Sequence, residues 1–560
     1  MCGIAGMVYF EPRPREQVLS VLQAMNRAQA YRGPDGEGVW TDGRVGLVHV
    51  RLALVGDAER GREPLADEHG AQLVFNGEIY RPAELMAQWG LPFAPGESDA
   101  RTLHALLRDQ GPEGLAHVEG LFAAVRYDPS TGKVLMIRDT WGQKPLYLLR
   151  TPEALYFAST TAALRAAVGR LEVRPEALIE YLVYRSVGGF RSAFQGVEQL
   201  PPGSWLEVGL DGSERQGRWF QAPAPERHDV VAAEVRQRVD FAVSERLDPD
   251  LEQAIFLSGG LDSSIVAESA VRQAQGAPLR FYSIGYDVTG IQDERHLARR
   301  LADTFPYEYQ EVQLSASQVP GLFHEVARYL EDPIQDPVTL PTLLLCRAAA
   351  QRTRCALTGD GSDEFWAGYE RFEDPPQQLE DYWPRTAIFQ PHELGLEGPP
   401  ASYLDQVQLP PAHWKPLDRI LAVEARNRLR NYHLARIDKL GMACGLEIRS
   451  PFLDRQVTTL AQNTPAEIKR PAGLPKGLLI EAFRDALPSW LLERKKQPFS
   501  VPIVQWLQGE LRDYAHDRLG PSSRTGALVS AQPYLDNLTD KNGAKIWSLL
   551  ALEAWMEEHP

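Results

Sequence analysis

Short runs in which apolar and polar residues alternate dominate the first ~200 positions, the period-two signature of half-buried strands. Gly46-Leu47-Val48-His49-Val50, Gln72-Leu73-Val74-Phe75, Leu121-Phe122-Ala123-Ala124-Val125 and Lys133-Val134-Leu135-Met136-Ile137 are examples, punctuated by glycine, proline and aspartate. They predict antiparallel sheet. Helical stretches at 15–30 and 99–110 interrupt them, so this half is mixed α and β. The pattern breaks over 216–230, where Gln221-Ala222-Pro223-Ala224-Pro225 reads as a linker. Beyond it, a helical pattern at 231–247 leads to the apolar run Ala254-Ile255-Phe256-Leu257, a glycine turn and a further helix. Strand 280–285, helix 293–305 and strand 308–312 follow, and such alternation implies parallel βαβ units. Residues 372–416 are dense in proline and read as a surface excursion, and the rest of the chain reads as helical. The expected division is 2–215, a linker at 216–230, and 231–560.

The net charge of −16 argues against a nucleic-acid surface, which needs a basic face. No apolar run approaches the ~18 residues of a membrane span. Glu11-Pro12-Arg13-Pro14 interrupts the N-terminus where a signal peptide would stay apolar. Four cysteines in 560 residues make no disulfide framework. A cytoplasmic location is the expectation.

Cys2 follows the initiator Met in Met1-Cys2-Gly3-Ile4. With the Met removed, one residue would carry both a thiol nucleophile and an α-amino group able to take its proton. Four other features suit that thiol: Arg32-Gly33-Pro34-Asp35 after a helix, Arg51 just past a strand, Asn76-Gly77-Glu78 after the strand at 72–75, and Ser98-Asp99 opening a helix. Sulfur attack on an amide creates an oxyanion that needs preorganised donors, and an Asn side chain beside a Gly N–H supplies them. A glutamine α-carboxylate suits a forked guanidinium, and its ammonium suits carboxylates. Each feature alone has a plain structural reading, Asn-Gly above all as a hairpin turn. Together they resemble the class II glutamine amidotransferase domain. That resemblance implies an Ntn-type αββα sandwich, Cys2 as nucleophile and base, Asn76 and Gly77 as oxyanion hole, and Arg51, Asn76, Gly77, Glu78 and Asp99 around the glutamine.

In the second half, Leu257-Ser258-Gly259-Gly260-Leu261-Asp262-Ser263-Ser264 lies between a strand and a helix, where backbone N–H groups make an anion site. No Gly-x-x-x-x-Gly-Lys-Ser/Thr loop occurs. The string resembles the pyrophosphate loop of enzymes that split ATP between its α and β phosphates. Thr358-Gly359-Asp360-Gly361-Ser362-Asp363-Glu364 adds a second acidic loop, in which Asp363 with Asp262 would hold Mg²⁺ and Asp360 would act at the reaction centre.

With Lys476 at a helix start and the stretches Met442–Asp454 and Arg494-Lys495-Lys496-Gln497, the chain resembles glutamine-hydrolysing asparagine synthetases over nearly its whole length. The resemblance implies a C-terminal parallel α/β ATP-pyrophosphatase domain with a helical end and a catalytic Lys476. It also implies ATP contacts at Leu257, Ile284, Thr358 and Gly359 besides the loop at 258–264, and an internal passage for ammonia. The substrates would be glutamine, ATP and aspartate, with a homodimer as one candidate assembly. One departure stands out: Asp360 takes the place of a Glu in well-known members, which leaves another carboxylate acceptor, such as a specialised metabolite or sugar-linked acid, as the alternative. A non-catalytic scaffold is disfavoured by the nucleophile and ATP loop together. No zinc or redox centre is expected: Arg328 stands where His324-Glu325 would need a second His, and Cys346 and Cys355 read as core thiols.

Overall fold

The computed structural model describes residues 2–54, 61–91, 93, 97–274, 276–288, 294–404, 409–494 and 501–560. They form two compact units. One comprises Met1–Val173, Phe190–Ala222 and Met442–Gly445, and the other Arg174–Gly189, Pro223–Gly441 and Leu446–Pro560.

The first unit is built on two six-stranded sheets. One runs in the spatial order Val197–Gln199, Tyr147–Arg150, Ala154–Ala158, Cys2–Tyr9, Val45–Arg51, Gly36–Thr41. The other runs Glu214–Arg218, Ser204–Gly209, Lys133–Arg138, Gly120–Asp128, Gln72–Ile79, Leu65–Ala66. Every pairing is antiparallel. Side chains alternate between faces, so Ile4, Val8, Val45 and Leu47 meet Val74, Ala123, Val125 and Met136 between the sheets. The opposite parity of the second sheet (Leu73, Phe75, Ile79, Phe122, Ala124) packs on Leu103, Leu106 and Leu107 of the helix Asp99–Gln110. Helix Arg15–Ala28 covers the first sheet beside helix Thr161–Val168. The layers are therefore αββα.

One expected boundary moves. The strand Gln72–Ile79 does not stop at Phe75: Asn76 pairs with Ala123, Gly77 with Phe122 and Glu78 with Leu121. Asn-Gly here is no hairpin turn, because the long partner strand Gly120–Asp128 supplies ladder bonds that outweigh local turn preference. Gly77 is required by close approach, since a Cβ would lie 2.1 Å from the Leu121 carbonyl oxygen.

The second unit carries a five-stranded parallel sheet, ordered Glu308–Leu314, Leu279–Tyr286, Gln253–Phe256, Cys355–Leu357, Glu447–Arg449. The chain builds outward on one side of Gln253–Phe256, then returns to the other side with Cys355–Leu357. The order thus reverses between these two strands, and in open α/β sheets ligands bind in the crevice at the carboxyl ends of such a switch point.

Among the described residues of 372–416, the surface excursion that the sequence suggests gives way in part to a core. Short helical turns there put Phe372, Leu379, Tyr382, Trp383 and Tyr403 into a core with Tyr184, Ile420 and Val423. These aromatic residues are buried by tertiary packing, which has no helical or strand period to reveal it. The expected helix at 293–305 runs over Arg295–Ala302, and Asp293 lies outside the described residues.

Candidate functional sites

In the first unit, Cys2 and Arg51 are paired across neighbouring strands, and Gly36 pairs with Arg51 from the other side. Cys2 shares a face with Ile4, and Arg51 with Leu47, so both point between the sheets, toward the face of the second sheet that carries Val74 and Asn76. The Cys2 N–H donates to Asn76 Oδ1 at 3.1 Å. Asn76 is wholly buried. Its Nδ2 lies 3.5 Å from Ser159 Oγ, which in turn accepts the Ile4 N–H at 3.0 Å. Buried Arg32 donates from Nε to the Cys2 carbonyl at 3.2 Å, which gives the turn after the first helix its place in the site.

Ser98 caps the helix Asp99–Gln110, its hydroxyl accepting from the Ala100 N–H at 3.2 Å. Asp99 Oδ2 accepts the Ile79 N–H at 2.9 Å, fixing its carboxylate at the end of the strand that carries Asn76, Gly77 and Glu78. Burial pushes the Cys2 thiol above its ordinary range, with Arg51 acting the other way and Asp99 adding to the rise. A thiol held protonated at rest needs a base beside it.

In the second unit the loop 258–264 follows Gln253–Phe256 and opens the helix Leu261–Gln273. Ser258 N–H donates to Ser263 Oγ at 3.1 Å, and Ser264 Oγ donates to the Gly260 carbonyl at 2.7 Å. Gly259 has φ +81°, outside the range of most side chains, and a Cβ there would also press on the Glu294 carbonyl at 2.9 Å. The second acidic loop follows Cys355–Leu357 and packs directly on the first: a Cβ on Gly359 would lie 2.8 Å from Asp262 Cβ and 2.9 Å from the Ser263 nitrogen.

Lys476 joins the two loops. Its Nζ lies 2.5 Å from Asp262 Oδ1 and 2.5 Å from Asp363 Oδ1. Burial opposes its charge, but the two carboxylates win and hold the ammonium above its ordinary range. Ser362 Oγ donates to Asp262 Oδ1 at 2.7 Å. Asp360 is pushed up to about 6 by burial, with Asp262 and Asp363 adding to the rise. Leu257 and Ile284 are buried at the carboxyl ends of neighbouring strands.

Among the described residues no group of three or more His, Cys, Asp or Glu side chains could hold a metal. Asp262 and Asp363 nevertheless converge on a single cation, the Lys476 ammonium. Two hard carboxylates fit Mg²⁺, which usually takes one or two protein carboxylates and completes its shell with water and phosphate oxygens.

Several neighbours of these loops lay outside the sequence reading. Arg436 is ion-paired to Asp336 and reaches Asp360 Oδ1 at 3.5 Å. Tyr369, His433 and buried Glu364 form a cluster next to Asp363, with His433 Nε2 3.4 Å from Glu364 Oε1. Glu364 and Ser362 stood in the quoted acidic loop without a role, and Arg436 and His433 belong to no motif. Of the basic run, Arg494 donates to the Gly259 carbonyl at 3.0 Å, and Lys495, Lys496 and Gln497 lie outside the described residues. Cys346 and Cys355 are buried thiols.

The asparagine synthase family model matches residues 234–557. The chain belongs to the asparagine synthase family. The glutamine amidotransferase domain model matches residues 1–220. Asparagine synthetase [glutamine-hydrolyzing] 1 of Bacillus subtilis is 28% identical, over 99% of this chain and 96% of its own length. Amidase chry2 of Gibberella zeae is 29% identical over 69% of this chain and 62% of its own. Among solved structures, an allosteric regulatory enzyme of purine biosynthesis is similar over 56% of this chain and 80% of its own, at 14% identity and a TM-score of 0.31. Membership makes this chain a ligase that couples glutamine to ATP-dependent amide synthesis.

Proposed function

We propose that the chain releases ammonia from glutamine at Cys2 and uses it to convert the side-chain carboxylate of aspartate, activated as its adenylate, into the amide of asparagine. The bridging of Asp262 and Asp363 by Lys476 at the sheet's switch point carries this reading, because it gathers cation-binding and phosphate-binding groups at the mouth of the 258–264 loop. The full-length Bacillus subtilis relative, by its name, supports the same choice of acceptor.

In the glutaminase step, the Cys2 thiol passes its proton to the α-amino group of the same residue and the sulfur attacks the glutamine amide carbon. Asn76 Oδ1, which accepts from the Cys2 nitrogen, holds that base in place and turns its own Nδ2 toward the developing oxyanion beside the Gly77 N–H. Ammonia leaves with the proton, and water then cleaves the thioester to glutamate. Arg51 pairs with the substrate's α-carboxylate, and Asp99 and Glu78 with its ammonium.

In the synthetase step, a carboxylate oxygen of the acceptor attacks the α-phosphorus and pyrophosphate leaves. The N–H groups and hydroxyls of 258–264 bind the departing oxygens, and Lys476 neutralises charge that builds on phosphorus. Leu257, Ile284, Thr358 and Gly359 bound the adenine. Asp262 and Asp363 would hold Mg²⁺, which when bound supplies countercharge to the phosphate oxygens. Ammonia then attacks the acyl carbon, AMP leaves, and Asp360, held by Arg436, takes the released proton.

A second acceptor is favoured by one observation: Asp360 carries a shorter side chain than the Glu of well-known relatives, and Arg436 spans from it to Asp336. Aspartate carrying ¹⁸O in its side-chain carboxylate decides between them. The reading predicts one ¹⁸O in AMP for each asparagine formed. Label-free AMP, with turnover only when another carboxylic acid is supplied, would contradict it.

A further inference from the structure

Beneath the candidate glutaminase site lies a pair of buried ionisable side chains with no part in the chemistry above. His49 is 1% exposed and Glu63 5%. His49 precedes Arg51 by two positions on the same strand and pairs with Ile4, so it points between the sheets one step below Cys2 and Arg51. Glu63 belongs to the other sheet's entrance, just ahead of Leu65–Ala66. Its Oε2 accepts the backbone N–H of Phe75, the residue before Asn76, and stands 3.6 Å from His49 Nε2. Among the described residues His49 Nε2 has no hydrogen-bond partner.

The surrounding backbone is shaped to put Glu63 there. Gly38 is the register partner of His49, and a Cβ on it would lie 1.9 Å from the Glu63 carbonyl oxygen. Two residues earlier in the same segment, a Cβ on Gly61 would lie 2.4 Å from Arg51 Nη2. The segment from 61 to 66 therefore rests on Arg51 through Gly61, on His49 and Phe75 through Glu63, and pairs with Gln72–Leu73. It touches both sheets at the height of the nucleophile.

We propose that His49 and Glu63 are positioning residues of the glutaminase site, a buried pair that fixes the strand bearing Asn76 and Gly77 against the strand bearing Arg51. Glu63 bonds to the amide nitrogen next to the oxyanion donors, so its position sets theirs. The pair also sets the electrostatics around the thiol. Burial pushes Glu63 up to about 8, with His49 acting the other way and Cys2 and Asp99 adding to the rise. Burial likewise lowers His49, with Glu63 opposing and Arg51 adding to the fall. Around neutrality both groups are therefore uncharged, and neither brings a net charge beside Cys2. Above about pH 8 the Glu63 anion appears and opposes thiolate formation, as like charges in low dielectric do.

The inference rests on Cys2 being the glutaminase nucleophile, and the experiment separates the two. Glutaminase kinetics, ammonia-dependent synthesis and the pH profile of Cys2 alkylation by iodoacetamide, read by peptide mass spectrometry, are measured for the wild type, Glu63→Gln, Glu63→Ala and Cys2→Ala. Glu63→Ala removes the acceptor of the Phe75 N–H and is expected to lower glutaminase kcat at least 10-fold, with ammonia-dependent synthesis unchanged as the check on folding. Glu63→Gln keeps an acceptor without the charge. It should restore kcat to within about 3-fold and move the midpoint of Cys2 alkylation to lower pH. Loss of both activities together in Glu63→Ala, no loss of glutaminase, no rescue by Gln, or an unmoved alkylation midpoint would each overturn the pair. Retained glutaminase in Cys2→Ala would instead overturn the assignment of the nucleophile.

Discussion

Cys2 and Asn76 meet across the sandwich, one from each sheet, joined by a 3.1 Å bond. In the proposed mechanism Asn76 holds the nitrogen that serves as base and presents an amide N–H₂ group to the oxyanion. Its removal therefore affects two steps at once. Asn76→Ala is expected to lower glutaminase kcat by about 10²–10³-fold, the usual cost of losing an oxyanion donor. Synthesis from added ammonia should be untouched, and parallel steady-state assays of the two activities check this. The residues that the structure gathers here were legible because each lies in a short string: Cys2 behind the Met, Arg51, Asn76-Gly77, Ser98-Asp99. His49 and Glu63 were not, since a single His on an alternating strand and a Glu in a polar stretch look like ordinary positions until the two sheets are stacked.

Elements decide what the short strings become. Asn-Gly is a turn signal in isolation, yet the strand Gly120–Asp128 pairs through it and makes it part of an eight-residue strand. The two acidic and glycine-rich loops were legible as loops because each follows an apolar run and precedes a helix. That they lock together was not, because contact between Gly359 and the start of the helix Leu261–Gln273 depends on strand order, which the sequence does not display. Gly359→Ala tests that contact. The added Cβ must displace Asp262 or the Ser263 backbone, so the KM for ATP should rise at least 10-fold while glutaminase activity stays at the wild-type level. Initial-rate measurements at varied ATP would show it; an unchanged KM would mean that the loops need no close packing. The segment 372–416 is the opposite case. Its prolines break every period, so its buried Phe372, Tyr382 and Trp383 give no pattern to read, and only the tertiary core reveals them.

At the scale of the whole molecule, one chain carries an antiparallel αββα unit and a unit with a parallel sheet and a switch point in its strand order. The change of period along the sequence already separated these two fold types. Among the described residues no helix is long and apolar enough to cross a membrane. The central claim is that the two sites serve one reaction, with nitrogen leaving glutamine at the first and entering an acyl-adenylate at the second. Turnover with amide-¹⁵N glutamine, ATP and aspartate tests it most directly, following ¹⁵N in the product and the nucleotide formed. The account predicts ¹⁵N-asparagine and AMP with pyrophosphate in equal amounts. It also predicts that Cys2→Ala abolishes the label transfer while still making asparagine from added ammonia. Formation of ADP and phosphate, or AMP formation from aspartate without ¹⁵N in any amide product, would contradict it.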